Sequence, residues 1–265
     1  MNESHMNIER FMGFADLYDS IRPKCPEYVV DLLVRYLGFK PHTVVDIGCG
    51  TGLSTLVWQN IAEEIIGIDP SKDMIRKAGA NAKEIQNITF SEAFSDNTKL
   101  DDNTADIVTC SQSFHWMEPQ ATLAEINRIL KSGGIFAAYD SDWPPVCAPS
   151  LDLAYATLDE WLDSVEIGII PFKRYPKSEH LENMKRSGYF KYTREIVFSN
   201  TENCDASRYF GFILSQGGTQ GILRKNPSLI EKELIEFKDM VDSFFGDRIL
   251  EIEFCYRMRL GIKSI

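Results

Sequence analysis

The sequence predicts a doubly wound α/β fold, in which helices cover both faces of a seven-stranded, mostly parallel sheet. Short segments that are apolar throughout alternate with segments of helical periodicity between residues 27 and 140. Strands of this kind are buried on both faces, as in a parallel sheet that is covered by helices. A chain of 265 residues is also long enough for one large α/β domain.

The alternation can be followed element by element. Apolar residues recur at helical spacing over 27–37, and an apolar strand follows at 43–46. Gly133 and Gly134 are expected to end a later helix with a left-handed cap. The other elements of this region are a helix at 53–59, a strand at 65–69, a helix at 71–80, strands at 88–90 and 105–110, a helix at 120–130 and a strand at 135–139.

After residue 140 the pattern changes to a proline-rich loop followed by mostly helical segments. Helices are expected at 151–162, at 177–187 and over most of 201–245, and strands at 191–198 and 249–260. We interpret the chain as a single domain, 1–265, with a core of about 27–140, 177–200 and 246–265. Residues 1–26, 141–176 and 201–245 are expected to cover the carboxyl edge of the strands, where open α/β sheets bind ligands.

Composition excludes several classes of function. The net charge is -11 and no cluster of Lys and Arg is visible, which argues against a nucleic-acid substrate. The six cysteines include no C-x-x-C pair, so no metal site is expected. The chain lacks both a run of about 18 apolar residues and a secretory signal, so we expect a cytoplasmic protein without a membrane partner.

A glycine-rich loop follows the first strand. Asp46 precedes Gly48, Gly50 and Gly52, and glycine allows both positive φ and close approach of a ligand to the backbone. The spacing is G-x-G-x-G, whereas a dinucleotide fingerprint needs G-x-G-x-x-G. An acid at this place suits a cation, such as the ammonium of a methionine moiety or a sulfonium. The alternative is a tight turn without a ligand.

The second strand also ends in an acid, Asp69. A carboxylate in this position can accept two hydrogen bonds from a ribose diol. The alternative is that Asp69 caps the next helix, but Ser71 is available for that role. Two acids at the ends of consecutive strands therefore predict a site for a positively charged nucleoside.

This pattern resembles the class I S-adenosylmethionine-dependent methyltransferases over about residues 14–140. The matching text is V-D-I-G-C-G-T-G at 45–52, G-I-D-P-S at 67–71 and L-K-S-G-G at 130–134, with Y-D-S-I-R-P at 18–23 and S-Q-S-F-H-W at 111–116 similar to the trans-aconitate methyltransferase-like subgroup. The resemblance implies a Rossmann-like methyltransferase fold, S-adenosylmethionine as the cofactor and methyl transfer as the reaction.

The resemblance also implies roles for individual residues. Asp46 and the glycines would hold the methionine part, Asp69 the ribose, and Met74 the adenine. This chain departs from the family at Phe94, where many relatives have a small or acidic residue. Phe94 is a candidate to stack on the adenine, and the Ser95 backbone is a candidate to bind its edge. The full set expected to contact the cofactor is Tyr18, Arg22, Asp46, Gly48, Cys49, Gly50, Gly52, Asp69, Pro70, Met74, Phe94, Ser95, Ser111 and Gln112.

Methyl transfer is an in-line displacement in which the protein mainly supplies alignment. A carboxylate acceptor needs no base, whereas a hydroxyl or an amine does, and His115 is then the candidate. The alternative for His115 is a structural role. Arg174 or Arg208 is a candidate clamp for an anionic acceptor, unless both simply lie at the surface.

The favoured hypothesis is a methyltransferase acting on a small molecule, and a carboxylic acid is one candidate acceptor. The first alternative is a regulatory or partner protein that binds the cofactor without transferring a methyl group. A nicotinamide oxidoreductase is disfavoured by the glycine spacing, and a nucleic-acid methyltransferase by the net acidity.

Overall fold

The computed structural model describes residues 7, 10–170 and 172–264. Residues 1–6, 8, 9, 171 and 265 are not described, so the expectations for them lie outside the described residues. The helices are α1 (Ala15–Ile21), α2 (Glu27–Leu37), α3 (Lys72–Asn81), α4 (Pro119–Ile129), α5 (Pro149–Ile169), α6 (His180–Ser187), α7 (Ala206–Leu214), α8 (Gly217–Lys225) and α9 (Glu231–Phe245). The strands are β1 (Thr43–Ile47), β2 (Glu64–Asp69), β3 (Ile88–Glu92), β4 (Ala105–Ser111), β5 (Leu130–Ser141), β6 (Phe190–Cys204) and β7 (Leu250–Lys263).

Seven strands of the described residues form one sheet in the order β3-β2-β1-β4-β5-β7-β6. Neighbouring strands from β3 to β5 all pair in parallel. The order reverses between β1 and β4, and ligands of open α/β sheets bind outside the carboxyl ends of the strands at such a point. The predicted fold class is confirmed, and the ends of β1, β2 and β4 are the place to look for a site.

The residues divide into two compact units. The first, here called the sheet unit, comprises Lys24–Asp140, Lys173–Val197 and Arg257–Ile265. The second, here called the helical unit, comprises Met1–Pro23, Ser141–Phe172 and Phe198–Tyr256. Each unit has its own core. Aliphatic residues of β1, β4 and β5 pack on α4 in the sheet unit, and aromatic side chains of α5, α7 and α9 pack with aliphatic ones in the helical unit.

Local structure differs from expectation in two places. Residues 53–59 do not form an α-helix, and only Leu56–Trp58 forms a 3-10 turn. Ser54 and Thr55 both donate their hydroxyls to Asp46, which holds this segment in tight turns. The helix α4 ends at Ile129 and not at the two glycines, because β5 begins at Leu130.

None of the helices in the described residues is both long and apolar enough to cross a membrane.

Candidate active site

The three glycines of the loop after β1 differ in their surroundings. All three have positive φ, at 71° for Gly48, 54° for Gly50 and 88° for Gly52. A Cβ on Gly48 would lie 2.5 Å from the Cβ of Ser113, and one on Gly52 would lie 3.1 Å from the ring of Phe90. A Cβ on Gly50 would meet nothing within 4 Å. A side chain at Gly48 would therefore clash with Ser113 and one at Gly52 would crowd Phe90, whereas the space beside the Gly50 Cα is open.

Asp46 is completely buried and belongs to the loop's own hydrogen-bond network. Its Oδ2 accepts hydrogen bonds from Ser54 Oγ at 2.7 Å and Thr55 Oγ1 at 2.8 Å, and its Oδ1 accepts one from Thr109 Oγ1 at 2.8 Å. Burial raises the pKa of this carboxyl, and the three hydroxyls lower it again in part. The carboxylate thus organises the turn, and direct contact with a ligand is not part of the site that we propose.

Asp69 ties the glycine loop to the end of β2. Its Oδ2 accepts the backbone N–H of Gly50 at 3.0 Å, and its Oδ1 accepts that of Ser71 at 2.8 Å. Ser71 itself caps α3, so Asp69 is not needed as the cap. Burial raises the pKa of Asp69 to about 6, and the charge of Asp46 contributes to the rise. A carboxylate has about four lone-pair positions, so two remain for other donors.

The remaining predicted residues of the sheet unit occupy the same end of the sheet. Met74 on α3 is buried, and Ser95 shares a hydrogen bond of 2.9 Å with Thr122. Gln112, just after β4, adopts φ 52°, which is uncommon for a residue with a side chain. Its Oε1 accepts a hydrogen bond from Lys177 Nζ at 3.2 Å. Cys49 and Pro70 lie within the turns that follow β1 and β2, Phe94 follows β3, and Ser111 ends β4.

A second buried carboxylate, Asp140, stands near the end of β5. Its Oδ1 lies 3.3 Å from His115 Nδ1 and 3.2 Å from Lys177 Nζ. Its Oδ2 lies 3.5 Å from an Arg259 guanidinium nitrogen and 3.8 Å from His180 Nε2. Five elements of the sheet unit therefore converge on one carboxylate. We call these five residues the Asp140 cluster.

The charges of the Asp140 cluster follow from its burial. The flanking cation of Lys177 and the imidazole of His115 hold the pKa of Asp140 well below its usual range, against the opposing effect of burial. Burial lowers the pKa of His115 to about 4 and that of His180 to about 4, although Asp140 opposes both shifts. At neutral pH the cluster therefore combines an ionised carboxylate, two cations and two neutral imidazoles.

Part of this chain is similar in sequence to known methyltransferases. The sequence profile of the methyltransferase domain family matches residues 45–138. CRG1 of Saccharomyces cerevisiae, which is named a probable S-adenosylmethionine-dependent methyltransferase, is 32% identical over 124 residues, or 45% of this chain and 43% of that protein. YcgJ of Bacillus subtilis, an uncharacterised methyltransferase, is 31% identical over 102 residues, or 37% of this chain and 40% of that protein.

Residues 45–138 therefore match a methyltransferase domain, and the match to a probable S-adenosylmethionine-dependent methyltransferase covers less than half of each chain.

Solved structures agree with the methyltransferase fold. The crystal structure of YcgJ aligns with a TM-score of 0.58 at 21% identity. The alignment covers 91% of this chain and 100% of the YcgJ chain. Phosphoethanolamine N-methyltransferase 2 of Haemonchus contortus, solved with phosphomonomethylethanolamine and S-adenosylhomocysteine, aligns with a TM-score of 0.55 at 15% identity, covering 95% and 57% of the two chains. The chain spans less than half the length of the two curated relatives named above.

Residues 45–138, which match the methyltransferase domain, present groups that fit S-adenosylmethionine. Gly50 has an open backbone, and Asp69 keeps acceptor capacity after binding two backbone N–H groups. These are the groups that a ribose diol and a close-lying nucleoside require. This fit involves only Gly50 and Asp69, which lie at the ends of β1 and β2 within the sheet unit.

Tyr18 and Arg22 belong to the helical unit, where they interact with each other. The guanidinium of Arg22 lies 5.1 Å from the ring centroid of Tyr18 and 4.8 Å from that of Trp143. It also donates a hydrogen bond to the carbonyl of Ser215 at 3.0 Å. Among the described residues Arg22 forms no ion pair with a carboxylate, so its charge is available to an anion.

The two arginines considered as acceptor clamps differ in their surroundings. Arg208 is occupied, since it pairs with Glu202 at 2.5 Å and donates to the carbonyls of Asn203 and Ile21. Arg174 is exposed and belongs to the segment whose Tyr175 N–H donates to the His115 carbonyl at 2.8 Å. Arg208 is thereby removed as a candidate clamp.

Sequence reasoning found His115 but not its partners in the Asp140 cluster. One signal was available, because Asp140 stands near the carboxyl end of an apolar strand, as Asp46 and Asp69 do. Lys177 and His180 carried no such signal. They approach the cluster only because α6 and the turn before it pack in the sheet unit.

Proposed function

We propose that this protein is an enzyme that transfers a methyl group from S-adenosylmethionine to a small-molecule acceptor by in-line displacement. The observation that carries the proposal is the link between Asp69 and the open backbone of Gly50, with a hydrogen bond of 3.0 Å. This link joins the groups for the ribose to those for the methionine part. The methyltransferase domain match over residues 45–138 supports the same reading.

In this proposal the residues of the chain bind the cofactor and align it with the acceptor. Asp69 accepts the ribose hydroxyls, Gly50 allows close approach, and Asp46 holds the loop rigid from behind. Met74, Pro70, Phe94 and Ser95 are proposed to contact the adenine side, and Cys49, Ser111 and Gln112 the methionine side. Tyr18 and Arg22 are proposed for the donor carboxylate on the family resemblance alone, since both belong to the helical unit. S-adenosylmethionine supplies the electrophilic methyl group.

The acceptor is proposed to be a small molecule rather than a nucleic acid, because the net charge of -11 opposes a polyanionic polymer. A carboxylic acid is one candidate class. It is supported by the cations near His115, namely Lys177 and the exposed Arg174. A hydroxyl or amine acceptor is the other, with His115 as the base that it needs.

The ribose assignment is tested by calorimetric titration of S-adenosylmethionine into Asp69→Ala. Loss of hydrogen bonds to a charged acceptor costs about 1.5–3 kcal/mol, so we expect the affinity to fall by roughly 10- to 150-fold. Glu92→Ala is the matched control, because Glu92 pairs in register with Asp69 but is exposed. Equal affinity of Asp69→Ala and the wild type would remove Asp69 from the site.

A binding protein without transfer activity is the competing function. Titration with the cofactor does not separate the two functions, because both bind it. Incubation with a panel of small metabolites, followed by measurement of S-adenosylhomocysteine, does separate them. We expect product with at least one acceptor, whereas tight binding with no turnover across a broad panel would favour a regulatory or partner role.

A further inference from the structure

The Asp140 cluster contains buried polar atoms that no hydrogen bond satisfies. His115 Nδ1, Asp140 Oδ1 and both ring nitrogens of His180 form no hydrogen bond of good geometry, although Oδ1 lies at ion-pair distance from Lys177. All three residues are more than nine-tenths buried. Native proteins pair nearly all buried polar groups, and exceptions often mark a functional role. The cluster also lies in the same unit as Gln112, which Lys177 contacts directly.

A metal ion is the first candidate for such a cluster. The ligand atoms of His115, Asp140 and His180 lie within 4.8 Å of one another. Yet the same carboxylate already faces Lys177 at 3.2 Å and Arg259 at 3.5 Å. A divalent cation would repel both in a buried setting where charges are poorly screened. The charges therefore favour a role that keeps the histidines free of metal.

We propose that Asp140 is a positioning residue that holds His115 with its proton on Nδ1, so that Nε2 removes a proton from an acidic hydroxyl, a phenol or an enol, on the methyl acceptor. This inference rests on the proposed methyl transfer and selects among its acceptor classes. A carboxylate only accepts hydrogen bonds, so pairing with Asp140 requires the proton on Nδ1. The Nδ1 to Oδ1 distance of 3.3 Å is long, but catalytic hydrogen bonds of this kind tighten when substrate binds.

The acceptor class follows from the surroundings of the base. A carboxylate acceptor would leave a buried histidine and its carboxylate without a task in the transfer. Burial lowers the pKa of His115 to about 4, and so weak a base suits an acidic hydroxyl better than an alcohol. The ring of Trp116 lies 4.8 Å from that of His115, centroid to centroid, and offers an aromatic neighbour for a planar acceptor.

The step balances in atoms and charge. The hydroxyl oxygen forms a bond to the methyl carbon while the carbon–sulfur bond breaks, and the sulfur retains that electron pair as a neutral thioether. The hydroxyl proton moves to His115 Nε2. The resulting imidazolium is stabilised by Asp140 and opposed by Lys177 and Arg174, with Arg259 and His180 on the far side of the carboxylate. The proton then passes to solvent.

The tautomer is tested without any acceptor by long-range ¹H–¹⁵N NMR of the full chain. We expect His115 to carry its proton on Nδ1 at pH 7 and to remain neutral down to about pH 5, given a pKa of about 4. Asp140→Asn should shift the population toward the Nε2-protonated form. Glu63→Gln is the matched control, because Glu63 pairs with His42 at an exposed site. A wild-type spectrum with the proton on Nε2 would overturn the proposal even if Asp140→Asn failed to fold.

The acceptor class is tested with matched aromatic pairs, substituted phenols against benzoates that carry the same substituents. We expect S-adenosylhomocysteine from phenols only, with His115→Gln lowering the rate by about 10²- to 10⁴-fold while calorimetry shows unchanged cofactor affinity. Asp140→Asn should lower the rate and alter its pH profile, and Glu63→Gln should do neither. Turnover of benzoates alone, or a rate indifferent to His115→Gln, would overturn the proposal.

Two further outcomes separate this inference from the proposed function. If no acceptor of any class yields S-adenosylhomocysteine, the proposed function fails and the acceptor class falls with it, while the NMR result still decides the tautomer. If one Zn²⁺ per chain binds and shifts the His115 and His180 signals together, the cluster is a metal site and the proposal is wrong.

Discussion

Asp46 and Asp140 are both buried carboxylates at the ends of parallel strands of one sheet, but their surroundings give them opposite properties. Asp46 at the end of β1 accepts hydrogen bonds from three hydroxyls and meets no cation within its network. Asp140 on β5 faces Lys177 and Arg259. As a result the pKa of Asp46 lies above its ordinary value, and that of Asp140 lies below it.

The difference shows that burial alone does not decide what a carboxylate does. Neutral hydroxyls satisfy the hydrogen-bonding capacity of Asp46 and lock the adjacent loop. Cations keep Asp140 charged, and the imidazoles beside it retain unpaired nitrogens. The first arrangement satisfies its carboxylate with neutral donors, whereas the second keeps an ionised carboxylate beside two neutral imidazoles.

The largest expected effect comes from breaking the Asp46 network. In Asp46→Leu, three hydroxyls lose their acceptor, and each stranded buried group costs about 1–3 kcal/mol. We expect the free energy of unfolding to fall by at least about 3 kcal/mol in urea denaturation. Asp46→Asn keeps one carbonyl acceptor and should lose less, and the exposed Asp96→Asn should lose almost nothing. Similar losses for Leu and Asn would show that the hydroxyl network contributes little.

Alanine substitutions of Gly48 and Gly50 test the structural role of the loop that Asp46 holds. Gly48→Ala combines a left-handed backbone with a methyl group pressed against Ser113, so we expect a loss of about 2–4 kcal/mol in unfolding free energy. Gly50→Ala carries only the backbone cost, about 1–2 kcal/mol, because its Cβ meets open space. Gly50→Ala should instead weaken cofactor binding in calorimetry. The opposite ranking in stability would contradict the assignment of the two glycines.

A third acid, Asp69, gives a pH dependence of cofactor binding. Its pKa of about 6 means that it is mostly ionised at pH 7 and mostly protonated at pH 5. If the ionised form accepts the ribose hydroxyls, the affinity should fall about tenfold between these two values. Calorimetric titration across this range measures the fall, and Asp69→Asn should flatten it. A wild-type affinity that is level from pH 7 to pH 5 would speak against the role of Asp69.

The smallest expected effects are opposite slopes of stability against pH. Asp140 has a lowered folded-state pKa, so its contribution is present above the unfolded pKa of about 4 and is lost as the pH falls toward the folded value. Asp46 has a raised folded-state pKa, so it favours the folded state more as the pH falls toward about 4. The unfolding free energy of the wild type minus that of Asp140→Asn should shrink as the pH falls below about 4, whereas the difference for Asp46→Asn should grow as the pH falls toward about 4. Slopes of the same sign would remove the contrast.

The sequence was sufficient for the fold because the fold depends on local patterns. Apolar spacing placed α2 at 27–37, and the helix is Glu27–Leu37. The alternation of strands and helices gave the parallel sheet, which is confirmed. The prediction of a helix after β1 was wrong. Ser54 and Thr55 hydrogen-bond to Asp46, and apolar periodicity carries no information on such contacts.

The site was only partly accessible to sequence reasoning. The residues expected to bind the cofactor stay a prediction, although Asp69 and Gly50 are brought together by a direct hydrogen bond. The Asp140 cluster could not be foreseen, because its members come from β5, β7, α6 and two short turns. Pairings between such distant segments depend on packing, and no spacing rule reports them.

The sheet unit is assembled from three separated stretches of chain, and this has a consequence for synthesis on the ribosome. Arg259 reaches Asp140 from 119 residues further along, and Lys263 donates to the carbonyls of Asn127 and Leu130. A nascent chain released or stalled after residue 200 would expose the flank of β5 and a buried acid without its guanidinium. We expect ribosome-bound fragments of that length to engage chaperones, and protease resistance to appear only once β7 has emerged from the exit tunnel.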